Sequence, residues 1–485
     1  MWSSVPEFRT KCPKAHVLPI RWRMIVEDAN LQSGATMSCP IPDVPGHPLW
    51  RNASDLFHRP LEFFRESYLE CGPVFRVRAP GRNYVIIAGP EANKQLLSRI
   101  GEQHFDHEPI YAHIARELDS EHYVIATHGK RHAQLRGQVA AMLTSRAVRP
   151  MLPAMLESAT SVCRRWIPGQ RYEMLPEMHR IVGEQVGIAL ANHPLGEQID
   201  DAILFARYSV GPSLGSYPSV MRFNPRYLLA KRRMRRFVQE VIDEHRDSPP
   251  GETRSADFID GLLASVDEEG QPLPASAVFA NAQMIYTNSI LYGGPSVAFM
   301  LYLILKDREL KQRLIAECDA ALAEPATPDL LGRLPTLLGV VKESMRLHPV
   351  ALATPRVVRE TFEFEGYEIE KGERVLIAGS VCHQLEQVYP NPQTLDTDRD
   401  FSKAPKNTYV PFGGGSHACP AGGYMALVYA ASAVAILGNV DIEMTPHDYV
   451  LRKVVNPFPE PSSDFRFQVL GLRRPPLQKS ASPPS

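Results

Sequence analysis

The most reactive group the sequence offers is one cysteine in a glycine-rich setting. The stretch Tyr409-Val-Pro-Phe-Gly-Gly-Gly-Ser-His-Ala-Cys-Pro-Ala-Gly422 sets Cys419 behind three consecutive glycines and ahead of an apolar run from Tyr424 to Val440. Glycines let backbone amides come close to another group, and an apolar run of that length reads as a buried helix. Loop amides and a helix start both favour a thiolate, so Cys419 is a candidate nucleophile or soft metal ligand. A lone cysteine does not choose between them.

A second set of residues is ionic. In Lys342-Glu-Ser-Met-Arg-Leu-His-Pro349, Glu343 and Arg346 stand three apart and share a helical face. On a surface the pair is worth little, whereas in a core it must be fully satisfied. Their helix can start at Pro335, because the first helical position needs no N–H partner. A third set lies in the longest helical candidate, Ala275 to Lys306, at Asn288-Ser-Ile-Leu-Tyr-Gly-Gly-Pro-Ser296. Pro295 has no N–H for the carbonyl of Leu291, which predicts a kink with a freed acceptor. Gly293 and Gly294 strip side chains from one wall, which fits either a plain kinked core helix or a groove opened for a flat ligand.

The elements that must position these groups follow the hydrophobic periodicity. Pro40 to Pro48 reads as an extended lead-in, and Asp55 to Cys71 as an amphipathic helix. Val74–Arg78 and Tyr84–Ala88 read as a hairpin-like pair of strands. From Pro90 to about Leu310 the pattern is helical, with loops expected at Pro168-Gly169, Gly211 to Pro218 and Ser248 to Gly251. The basic run Arg222 to Arg246 fits a solvated helix face or a docking surface for an acidic redox partner. After Pro349 short strands follow one another to Ala378 and read as a small meander. Residues 1–38 read as an N-terminal extension, 39–472 as one domain, and 473–485 as a disordered Pro/Ser-rich tail.

Composition narrows the class. With 53 Lys and Arg against 54 Asp and Glu the net charge is −1, which excludes a general electrostatic affinity for nucleic acid or anionic membranes. A hydrophobic fraction of 44% supplies a sizeable core. The seven cysteines contain no CxxC pair, so a disulfide framework or structural zinc site is disfavoured and a reducing, cytoplasmic setting is expected. No uninterrupted apolar run reaches the roughly 18 residues of a membrane span, and no signal-peptide core is present in 1–38.

The order of a Glu-x-x-Arg helix ending in Leu-His-Pro, a short-stranded region with Tyr389-Pro-Asn-Pro392, and Phe-x-x-Gly-x-His-x-Cys before an apolar helix resembles the cytochrome P-450 family of haem-thiolate enzymes. The resemblance covers about Ile41 to Leu472. It implies a mainly α fold with small β-sheets, a helical prism around haem b, with Cys419 as the iron's thiolate ligand and Phe412 packed beside it. It implies that Glu343 and Arg346, with Arg399 as third member, tie the structure together. His132 and Arg136 match a His-x-x-x-Arg helix, Arg356 the arginine of the first strand after Leu-His-Pro, and His417 the position two before the cysteine. All four are thereby expected to meet the haem propionates.

Two positions depart from the family pattern. Ala421 stands where glycine is usual, with Gly422 next. In the central helix the family's acid–alcohol pair falls at Leu291 and Tyr292, neither of which is an acid or an aliphatic alcohol. Tyr292, Ser289 or Ser296 is then the candidate to hold a proton-relaying water. The resemblance implies a monooxygenase, a monomer that takes electrons from a ferredoxin or reductase and oxidises a small lipophilic or natural-product substrate. Walls are expected at Gly211 to Pro218, Tyr286 to Ser296 and Val350 to Pro355. The missing pair keeps a second reading open, a haem-thiolate isomerase, dehydratase or peroxide user that needs no redox partner. A haem-binding protein without turnover is the third.

Overall fold

The computed structural model describes residues 39–98, 101–214, 216–251 and 254–474. The extension 1–38 and most of the Pro/Ser-rich tail lie outside the described residues. Of that tail, Arg473 and Arg474 are described, and both pair with Asp319. The fold is mainly α with small β-sheets. Among the described residues its contacts group into two compact units: one is residues 39–110 with Ala351–Pro392 and Phe401–Ala418, the other Tyr111–Val350, Gln393–Asp400 and residues 419–474.

The first unit is built on a five-stranded sheet. Val74–Ala79 and Arg82–Ala88 form the antiparallel hairpin read from their alternation, with Val74 opposite Ile87. The later strands are not a meander. Arg374–Ala378 lies parallel to Arg82–Ala88 and antiparallel to Thr354–Val358, while Phe362–Phe364 and Tyr367–Ile369 form a separate hairpin. Period-two alternation marks a strand without naming its neighbour, and burying Val85, Ile87, Val375 and Ile377 together decides the pairing. The helix read from Asp55 to Cys71 is two, Ala53–His58 and Pro60–Cys71. Pro60 has no N–H to continue the first helix and serves as the first residue of the second.

The second unit centres on the helix Ala275–Lys306, all 32 residues of it, continuous through Pro295. Its two glycines open no groove. A Cβ on Gly293 would lie 2.8 Å from Val182 and one on Gly294 2.0 Å from His179, both on the helix Met174–Ala191. The missing side chains bring two helix backbones close together, which corrects the flat-ligand reading. The loop expected at Gly211–Pro218 is half helix: Ile199–Leu214 runs on through Gly211 and Pro212. Gly211 is needed because a Cβ there would sit 2.0 Å from the ring of Tyr217.

The basic run forms the helix Pro225–Asp247, and much of its charge is used within the unit. Lys231 pairs with Glu117, Arg233 reaches Asp201 at 3.4 Å, and Arg235 lies over the ring of Phe279 at 4.8 Å. The apolar run after the cysteine is the helix Gly422–Asn439. It and Ala275–Lys306 are long and apolar enough to cross a membrane, yet 78% and 67% of their apolar windows are buried inside the fold, as core helices are.

Candidate active site

Cys419 stands three residues before the helix Gly422–Asn439. Burial raises its thiol on balance, and the backbone amide of Ala421 and the charge of Arg136 offset part of that rise. The amide at Ala421 acts whatever the side chain, so alanine in the usual glycine position leaves this contact in place. Cys419 is ringed by protein and yet has an exposed side chain, whereas Cys163, Cys318 and Cys382 are buried. Cys382 lies in the 3₁₀ turn Gly379–Gln384, accepts from Asn93 Nδ2 at 3.4 Å, and burial pushes it up to about 12. An open sulfur with an amide and a guanidinium beside it is a donor set that suits a thiolate-bound iron. Cys382 has amides at its sulfur but is closed off from solvent, and no guanidinium is among the groups acting on it.

The glycine loop that leads to Cys419 is anchored in the first unit by residues the motif does not contain. Val410 N–H donates to Nε2 of buried His383 at 3.0 Å, and Asn93 Nδ2 donates to the carbonyls of Gly379 and Asn407 at 3.0 and 2.9 Å. Gly413 and Gly415 take φ of 73° and 74°, the left-handed region that glycine reaches at no steric cost. Gly414 is pressed against Leu97, whose Cβ would stand 2.9 Å from an added methyl. Phe412 is half-buried.

His417 is held by groups that spacing did not reveal. Its N–H donates to Glu102 Oε1 at 3.1 Å, its Nδ1 lies 3.4 Å from the same oxygen, and its ring stacks on His107 at 3.5 Å. Burial pushes Glu102 up, but the hydrogen bonds from His417 and Ser416 outweigh it and bring the carboxyl down to about 2. Arg356, 2% exposed, sits on the strand Thr354–Val358 and donates to the Pro355 carbonyl at 2.8 Å. In the second unit His132 is buried and Arg136 half-buried, four apart on the helix Gly129–Met142 and therefore on one face.

Glu343, Arg346 and Arg399 meet with no exposed surface on the carboxylate. Glu343 Oε1 accepts from Arg346 Nε at 2.5 Å and Arg399 Nε at 3.0 Å. Its Oε2 accepts from Arg346 Nη2 at 2.8 Å and Asp396 N–H at 3.0 Å. Arg346 also donates to the Thr394 carbonyl at 3.1 Å, so the pair clamps the segment 394–399 to its helix.

Along the central helix, Leu291 is buried and the ring of Tyr292 lies 4.1 Å from that of Phe458. The electrostatic neighbours of the Tyr292 phenol are Tyr111, Cys419 and Tyr123. Ser289 is half-buried. The Ser296 hydroxyl donates to the Tyr292 carbonyl at 2.8 Å and also meets Tyr429. A serine four residues beyond a helical carbonyl satisfies itself locally. The sequence reading missed Asn281 and Asn288, although polar residues recurring on one face of an apolar helix were the available signal, and it missed Tyr123, for which no local signal existed.

A mainly helical fold with a cysteine loop, a buried Glu–Arg–Arg cluster and a long central helix defines a haem-thiolate protein. The family profile for Cytochrome P450 matches residues 41–448, and the chain belongs to that family. Abscisic acid 8'-hydroxylase 1 of Oryza sativa subsp. japonica is 24% identical over 400 residues, covering 80% of this chain and 82% of that protein. Cyclooctat-9-en-7-ol 5-monooxygenase of Streptomyces melanosporofaciens is 26% identical over 411 residues, covering 81% and 87%. The structure of retinoic acid-bound cyanobacterial CYP120A1 superposes with a TM-score of 0.76 at 20% identity, covering 89% of this chain and 99% of that one. The family's cofactor is haem held by a cysteine thiolate, and the chain is an enzyme of the P450 monooxygenase type. No comparison favours the isomerase or the non-catalytic reading.

Proposed function

We propose that this enzyme hydroxylates a mid-sized, largely hydrocarbon substrate that already carries oxygen, using dioxygen and electrons from a separate ferredoxin or reductase. The observation that carries the reading is Cys419, open-sided and set between an amide and Arg136 at the start of a buried helix. Abscisic acid, retinoic acid and cyclooctat-9-en-7-ol, named with its relatives, are all apolar skeletons bearing oxygen groups.

In this reading Cys419 would ligate the iron, Phe412 would pack beside the ligand, and Arg356, His132, Arg136 and His417 would hold the propionates. When bound, haem supplies dioxygen activation for inserting one oxygen atom into a C–H bond. Glu102 orients His417 by holding its amide and Nδ1 side, and Glu343, Arg346 and Arg399 keep the segment before the cysteine loop in place. Tyr292 and Ser289 face the substrate side. The setting is cytoplasmic and the working form a monomer; Cys71, Cys163, Cys318, Cys382 and Cys419 form no disulfide among the described residues, which fits a reducing compartment.

Turnover with a redox partner and reduced nicotinamide, compared with turnover on a hydroperoxide without an electron source, tests the proposal. Oxygenated product that depends on electrons and dioxygen is expected. Efficient conversion of a hydroperoxide alone, with none under reducing conditions, would overturn it in favour of a partner-free enzyme.

A further inference from the structure

The central helix is apolar along most of its length, yet Asn281, Asn288 and Tyr292 fall on one face, seven and then four residues apart. Asn281 clamps the segment that precedes the helix Gly129–Met142. Its Oδ1 accepts from Val124 N–H at 3.1 Å, and its Nδ2 donates to the carbonyls of His122 and Ala277 at 2.7 and 2.8 Å. Tyr123, between the clamped residues, is 3% exposed and hydrogen-bonds the side chain of Asn288.

One turn further along, the Tyr292 ring leans on Phe458 at 4.1 Å and 34°. Its carbonyl takes the Ser296 hydroxyl, while its own phenol O–H meets no hydrogen-bond partner among the described residues. Tyr111, Tyr123 and Cys419 lie within electrostatic reach of that phenol. Burial pushes both Tyr123 and Tyr292 upward, so these phenols remain protonated donors at any working pH. Among the described residues, the charged or polar groups that act on Tyr292 are Tyr111, Cys419 and Tyr123, and no cation is among them.

We propose that Tyr292, positioned by Phe458 and backed by Asn288 and Tyr123, is a specificity-determining donor that hydrogen-bonds a neutral oxygen of the substrate: a carbonyl, hydroxyl or ether. Tyr292 is half-buried, and a substrate that covers its O–H without offering an acceptor leaves a desolvated donor unpaired, which costs free energy, so the site rejects molecules that lack the acceptor. A carboxylate is disfavoured for the opposite reason, because a buried charge needs a cation and this cluster supplies none. Tyr292 thus fills the family's alcohol position with a longer donor that reads the substrate. The inference rests on the proposed function, whose substrate class it narrows.

The test is calorimetric binding to the haem-loaded protein of one matched series: farnesene, farnesol, farnesal and farnesoic acid. The alcohol and aldehyde are expected to bind about three- to tenfold more tightly than the hydrocarbon and the acid, as one neutral hydrogen bond allows. Tyr292→Phe keeps the ring on Phe458 and is expected to erase that preference from both sides, tightening farnesene and weakening farnesol and farnesal toward a common Kd. Asn288→Leu is expected to reduce it partway. Equal binding of all four, no binding by any of them, or a Tyr292→Phe variant that weakens all four alike would overturn the proposal. Binding needs no turnover, so loss of electron-dependent product formation would strike the monooxygenase reading and leave this comparison standing.

Discussion

Glu343 shows what a single buried charge requires. Its carboxylate takes four donors, from Arg346, Arg399 and the amide of Asp396, with no surface left to water. Glu343→Gln keeps the shape, leaves two guanidiniums short of a counter-charge, and should lower unfolding free energy by about 3–5 kcal/mol in chemical denaturation. A loss below about 1 kcal/mol would mean that the cluster carries little of the fold. The two cysteines make a second residue-scale contrast. Cys419→Ala is expected to abolish the red-shifted thiolate band of the reduced, carbon-monoxide-bound protein, and Cys382→Ala to retain it. The reverse result would move the ligand to Cys382.

Helix packing sets the next scale. Gly294 faces His179 so closely that an added methyl would meet the imidazole Cδ2 at 2.0 Å, and His179 itself is 2% exposed. Burial, aided by the charge of Arg207, lowers His179 to about 3, so the ring packs as a neutral body. Gly294→Ala should destabilise by about 1–3 kcal/mol, the usual cost of overpacking a core. Adding His179→Ala should recover part of that loss in a double-mutant cycle, since both changes act on one contact. Independent, additive losses would show that the glycine serves something other than the crossing of these helices.

For the molecule as a whole, the join between the helices Pro225–Asp247 and Phe258–Leu263 gives stability a pH dependence. His245 Nε2 lies 2.9 Å from Asp257 Oδ2, and its Nδ1 lies 2.7 Å from the Val241 carbonyl. Burial alone would lower this histidine, but the hydrogen bonds to Asp257 and Val241 outweigh it and raise it above 6.5. A raised folded value means that the contribution is complete below pH 6.5 and is lost as pH climbs through that value. Thermal melts should therefore show a decline over that window that His245→Gln removes. An identical pH profile for the variant would show that the pair does not govern the slope.

The sequence by itself determined the elements whose signal is local: the 32-residue central helix, the cysteine loop with its glycines, the Glu343–Arg346 helix, and through them the family. Arg399 was reachable from the family pattern, because the segment that follows Tyr389 is short. Only the tertiary structure decided the partners. It placed Glu102 and His107 on His417, set His383 and Asn93 behind the loop, and turned Gly293 and Gly294 toward another helix. It also brought Tyr123, Asn288 and Tyr292 together and tied Ser296 to its own helix. Periodicity records which face of an element is buried. Which residue from a distant part of the chain meets that face is settled by long-range packing.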